Sequence, residues 1–343
     1  HLGYRLGFPK TALSVDPSAT TFQVIDVNAK QVAFEKQITS RTTPQGTFQI
    51  LEFSEFDRSG TYALQAGNVK TRPFRIGDFS DLYRDNLIKL INFFYCQRCG
   101  TEIPGRHSVC HSDFICAHGD KSIVINGGWH DAGDLSQSTK HTSGAVHAFL
   151  SLAEIFQATD PELSERLLED AKWGLAWVLK TRLGDGYRVN WGVMDFWTDG
   201  VIGTVDDVVT KTDNTQSPRH TYATVNLHAA RAEAKAAVLL SNRDPIMANY
   251  ALRCAEEDWS FAVESIQNLD MERAGIALNA SLALYAATQG GKYRSAAISY
   301  GDYILECQLR TDLSERVPLK GFFFQDASRE KLPLLRSIST PEK

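Results

Sequence analysis

The sequence predicts two domains, a β-sandwich followed by an all-α domain, meeting near residue 77. Three observations carry that expectation. Up to Gly77, short runs rich in β-branched and aromatic residues alternate with turn residues. Beyond it, apolar residues recur at helical spacing. At 343 residues the chain is also long enough for two separately cored domains. The boundaries are drawn at 1–77 and 78–343.

The strand pattern opens in TTFQVIDVNAKQVAFEKQI, two runs around an Asn-Ala-Lys turn. TFQILEF, GTYALQAG and TRPFRIG follow, separated by TPQG, DRSG and AGN. Short strands at such spacing predict an all-β sandwich. The period then changes. DFSDLYRDNLIKLINFFYCQ places Leu82, Leu87, Leu90, Ile91 and Phe94 at helical spacing, with Asp78 or Ser80 as the cap. Further helices are expected at about 141–158, 161–183, 220–241, 244–265, 271–288 and 292–309. Several are rich in Ala and Leu on both faces and should be buried on two sides. The stretches at about 100–140 and 184–219 read as long loops without elements of their own, a length that usually marks function. Glu256, Glu257 and Asp258 read as an exposed helix face.

Composition narrows the function. Hydrophobic residues are 43% and charged residues 22%, with a net charge of −5. No basic run supports a nucleic acid or an anionic membrane as the main partner. No apolar stretch reaches the roughly 20 residues of a membrane span. The N-terminal HLGYRLGFPK lacks the layout of a signal peptide.

Four of the six cysteines, Cys96, Cys99, Cys110 and Cys116, fall close together, while Cys254 and Cys307 stand apart as buried, inert thiols. Clustering of this kind points to metal before disulfides. Two zinc sets compete: Cys96, Cys99, Cys110 and Cys116, or Cys99, Cys110, His111 and His130. Either would staple a loop that has no core of its own. The second includes His130, inside the run GGWHDAGD at 127–134. Glycines there predict a tight loop holding Asp131 and Asp134, either a site or a turn whose last aspartate caps the next helix.

GGWHDAGD resembles the aspartate-bearing motif of glycoside hydrolase family 9, inverting β-glucanases with an (α/α)₆ barrel. HLGYR, GTYALQAG and FRIGD resemble the N-terminal immunoglobulin-like domain of one branch of it. FFYCQRCG, VCHSDF, NWGVMDFWTDG and SPRHTYATVNLHAARAEAKAA resemble that branch's barrel segments. The resemblance implies a structural zinc on Cys99, Cys110, His111 and His130. It implies Asp134 as the general base and Asp131 as the carboxylate that helps hold the same water. Two nearby carboxylates repel, so one should titrate high unless a donor relieves the pair. Inversion also requires an acid, roughly 6.5–9.5 Å from the base. Trp129, Trp191, Phe196 and Trp197 are candidate sugar-stacking residues. Asp195, Asp199, Asp206 and Asp207 are candidate calcium ligands, without EF-hand spacing to support them.

The family's catalytic glutamate has no counterpart around Glu330 or Glu342, and about seven helices are too few to close six hairpins into a ring. The expectation is therefore a longer parent chain, with an intact mass tens of kilodaltons above 38.1 kDa. The function expected from the resemblance is hydrolysis of β-1,4-glucosidic bonds, cellulase-type, with an oligo- or polysaccharide as partner. An exo-acting β-glucosaminidase or β-glucosidase and a non-catalytic carbohydrate-binding relative are the alternatives. Reduced zinc thiolates favour a cytoplasmic location over a secreted or periplasmic one.

Overall fold

The computed structural model describes residues 3–14, 18–43, 46–112, 114–131, 135–192, 217, 219–311 and 319–330. The chain forms two compact units, built chiefly on His1–Lys89 and on Leu90–Arg310.

The first unit is a sandwich. Its strands are β1 (Tyr4–Arg5), β2 (Thr11–Ser14), β3 (Thr21–Asp26), β4 (Gln31–Gln37), β5 (Thr39–Thr43), β6 (Gly46–Glu52), β7 (Gly60–Ala66), β8 (Val69–Lys70) and β9 (Phe74–Gly77). One sheet runs β1-β9-β7-β3-β4, with β8 on β7; the other runs β2-β6-β5. Alternation along β3 turns Phe22 and Val24 inward, onto Tyr62 and Leu64 of β7, Leu51 of β6, and Phe53 and Phe56 beyond it. The Lys10 side chain is wholly buried, and its ammonium is paired with Asp57 at 2.7 Å. A charge removed from water needs such a partner.

Helix α1 (Phe79–Cys96) begins where Asp78 Oδ1 accepts the backbone N–H of Asp81 at 2.7 Å. Six helices follow: α2 (Thr139–Phe156), α3 (Pro161–Lys180), α4 (Ala223–Leu240), α5 (Pro245–Ser265), α6 (Met271–Thr288) and α7 (Gly291–Cys307). Asp160-Pro161 and Asp244-Pro245 start α3 and α5, the aspartate capping and the proline supplying a preset φ. The six form three hairpins side by side, with α2, α4 and α6 in one layer and α3, α5 and α7 in the other. Alanines make this possible. On α4, Ala229, Ala230, Ala232, Ala234 and Ala236 are all fully buried, so neighbouring backbones come close around Trp259, Ile276, Leu284 and Tyr293.

The two long connections are not without elements. They contain β10 (Ile115–His118), β11 (Lys121–Val124), β12 (Gln137–Ser138), β13 (Arg182–Gly184), β14 (Tyr187–Val189), β15 (Trp191–Gly192) and β16 (Arg219–His220). The turn Asp185-Gly186 joins β13 to β14 with both φ values positive, the conformation a two-residue hairpin turn needs.

That hairpin carries a buried ionic network. Arg188 reaches Glu233 of α4 at 2.5 Å and bonds Asp258 of α5; Arg182 holds Asp258 at 2.9 Å and Glu257 at 2.5 Å. Asp258 is therefore buried, not on an exposed face, because two arginines of the hairpin need its two oxygens. Glu256 accepts the Tyr293 hydroxyl at 2.9 Å, and Glu257 alone of the three is exposed.

Candidate functional site

The run that opens at Gly127 is shaped by what lies under it. Gly127 and Gly128 have φ of +110° and +65°, and a Cβ on Gly128 would stand 3.0 Å from the Trp177 ring. Only glycine combines that backbone with that approach. Trp177 Nε1 donates to Ile125 O at 2.6 Å and Trp173 Nε1 to Gly128 O at 2.7 Å, so α3 forms the bed of the loop. On its other side, the Cys99 N–H donates to Gly128 O at 3.1 Å and the His130 N–H to Gln97 O at 2.9 Å.

These bonds bring Cys99, Cys110, His111 and His130 together, all buried, with one ligand atom each and all four atoms within 4.8 Å of one another. Cys99 Sγ lies 3.8 Å from Cys110 Sγ and 3.3 Å from His111 Nδ1; Cys110 Sγ lies 3.4 Å from His130 Nε2. Tetrahedral coordination at ordinary metal–sulfur and metal–nitrogen lengths requires edges of about 3.8 and 3.5 Å. The four residues fit a four-coordinate metal ion. His111 adopts φ +57° to present its ring. The hydrogen bond with Cys99, then those with His111 and His130, holds the Cys110 thiol far below its ordinary value, against desolvation. Burial holds the His130 ring below its own. A thiolate and a neutral imidazole are the forms that ligate. Of the two sets open in the sequence, the four-cysteine one is not assembled among the described residues. Cys116 instead packs with Phe114, Ile125, Leu183 and Val189.

Asp131 directly follows His130. Its Oδ1 accepts from Ser136 Oγ at 2.5 Å, its Oδ2 lies 3.0 Å from His141 Nδ1, and its N–H donates to Ser136 O at 2.9 Å. The residue is open to solvent through its backbone, while its side chain is only 14% exposed. β12 pairs with β15, Ser138 opposite Trp191, and the Trp191 ring meets the His141 ring edge-on at 5.7 Å. A carboxylate, an imidazole and a half-buried indole thus share one place at the start of α2. Ser136 and His141 were not singled out in the sequence. Their only signal was proximity to the Ser138 cap, which accepts the His141 N–H.

Trp129 is a correction. It is 3% exposed, its indole packed on Phe94 at 5.1 Å and Phe149 at 5.7 Å and against Gly174, so it serves helix packing and offers no face to a sugar. Asp134, Phe196 and Trp197, with Asp195, Asp199, Asp206 and Asp207, lie outside the described residues.

Two family models match, "Glycosyl hydrolase family 9" over residues 83–315 and "Cellulase N-terminal ig-like domain" over residues 1–71. Endoglucanase C of Cellulomonas fimi is 27% identical over 260 residues, 63% of this chain and 23% of that protein. A cellodextrinase of Butyrivibrio fibrisolvens is 31% identical over 158 residues, 42% of this chain and 27% of that one. Among solved structures, a zinc-binding triple mutant of the family 9 endoglucanase J30 superposes with a TM-score of 0.61 at 24% identity, covering 92% of this chain and 65% of its own. The chain thus spans about a quarter of either named relative.

Proposed function

Because the chain belongs to glycosyl hydrolase family 9, we propose that it hydrolyses β-1,4-glucosidic bonds of glucans with inversion at the anomeric carbon. The observation that carries this is Asp131, held by Ser136 and His141 in a loop tied down on both sides. In this reading, Asp134 takes a proton from a water molecule as its oxygen attacks the anomeric carbon. Asp131 accepts that water's other hydrogen and fixes its direction. A carboxylic acid on the opposite face protonates the departing oxygen. No residue is assigned to that last role. His130, committed to the metal cluster, takes no part in proton transfer. We take the ion to be zinc, because two thiolates and two imidazoles suit its borderline softness. Four protein ligands leave no open position, so zinc there supplies folding energy to the loop.

Hydrolysis of cellotriose against chitosan trimer, followed by proton NMR of the released anomers, tests the proposal. Release of the α-anomer from cellotriose, abolished in Asp134→Ala, is the expected result. Binding without turnover, unaffected by that substitution, would mark a carbohydrate-binding protein instead. A second reading, exo-action on short oligosaccharides, is favoured by the similarity to the cellodextrinase. Its signature is a rate that falls as the substrate lengthens. We place the protein in the cytoplasm, where cluster thiolates stay reduced.

A further inference from the structure

We propose that Arg231, with His147 and His228, forms a receptor for an oxyanion, a carboxylate or an inorganic phosphate or sulfate, on the packed faces of α2 and α4. The inference does not depend on the hydrolytic reading.

The two helices run the same way. The Thr139 N–H donates to Asn190 O beside β14 at 3.1 Å, while β16, which leads into α4, pairs with β14, so both N-termini start together. Near their other ends Lys235 of α4 is ion-paired with Glu154 of α2. Seven residues back on each, two turns, lie His228 and His147. Arg231 occupies the same stripe of α4, one turn before Lys235 and one after His228.

Among the described residues the acids along this stripe are already taken: Glu154 by Lys235, Glu272 by Lys140 at 3.4 Å, and Asp131 by His141 at 3.0 Å. Arg231 has neither an ion pair nor a hydrogen bond among the described residues, and its Nε is fully buried. The Nδ1 of His228 is likewise buried without a partner. Buried polar atoms are almost always satisfied, and a guanidinium presents five donors in a planar fork matched to carboxylate or phosphate oxygens. Burial, then the charge of Arg231, depresses His147 to about 4 and His228 to about 3, so both rings stay neutral and each retains one N–H to donate. Lys140, His141 and His147 also face His228, Lys235 also faces His147, and none of them relieves either ring. An oxyanion here would satisfy the fork and reverse the electrostatic penalty on both rings.

The test follows the ring resonances of His147 and His228 by NMR, titrated with pH in phosphate-free buffer and again with inorganic phosphate. If a free ion is the ligand, phosphate shifts both resonances saturably and raises both pKa values by about one unit or more. If the chain's own carboxylate fills the receptor, both rings already titrate near the ordinary value, phosphate changes nothing, and Arg231→Gln lowers both. Depressed titrations indifferent to phosphate, sulfate and acetate overturn the proposal. Should Arg231→Gln fail to fold, Arg231→Lys serves. It keeps the charge, loses the fork, and should weaken phosphate binding while the helical circular dichroism is unchanged.

Discussion

Asp131 shows how one side chain is fixed for use. A free carboxylate rotates and drifts. This one has a donor on each oxygen and a backbone bond to the same residue that supplies one of those donors. If it orients the attacking water, Asp131→Asn keeps the shape but loses the charge, and kcat should fall by about 10²–10⁴-fold. Ser136→Ala and His141→Ala remove one support each, and about a tenfold loss of kcat is expected from either, comparable to one hydrogen bond to a charged group. Steady-state kinetics on cellotriose measures all three. A kcat within twofold of wild type in His141→Ala would show that its contact with Asp131 is incidental.

Elements, not single residues, decide whether that geometry survives. The loop carrying Asp131 is held by Trp129, packed on Phe94 and Phe149, by the four-ligand cluster and by α3. Removal of the metal with a chelator, or Cys110→Ser, should abolish turnover while far-UV circular dichroism reports the helices intact, with bound metal counted by mass spectrometry. The β13–β14 hairpin is held differently, by buried charge. Arg188→Leu strands Glu233, leaves Asp258 to Arg182 alone, and should cost about 3–5 kcal/mol in urea unfolding. Glu233→Gln should cost far less, because burial already pushes the Glu233 carboxyl up to about 8 and the amide resembles its protonated form. Periodicity made most helices readable in the sequence, and caps such as Asp160 and Asp244 set where they begin. The small strands escaped that reading because strands of two to four residues have no period, although Asp185-Gly186 carried the chemistry of a hairpin turn. The metal set was legible from residue types only as two competing choices. What separated them was distance in space, as it was for Trp129, whose neighbouring glycines gave no hint of the aromatic rings around it.

The whole molecule has two cores of different make, one of aromatic residues between sheets and one of alanine between helices. They should respond to acid differently. His147 and His228 lie only in the helical unit, and their folded pKa values, about 4 and about 3, fall below the ordinary 6.5. Between those limits the unfolded chain binds protons that the folded one does not. Their contribution is therefore present above pH 6.5 and is lost as pH falls toward 4. Glu233 acts in the opposite sense, its contribution being full below 4.5 and lost as pH rises through about 8. In the sandwich, Lys36 and Ser54 hold Glu52 down to about 2, so what little that exposed pair contributes persists above pH 4.5 and goes only below it. Calorimetry at pH 6.5 and 4.5 in phosphate-free buffer separates these effects. The sandwich transition should keep its temperature. The double variant His147→Gln, His228→Gln should lose less of the helical transition temperature than wild type over the same interval. An equal loss in both proteins would mean that the two rings accept protons in the folded state as readily as in the unfolded one, the behaviour expected when an anion already sits beside Arg231.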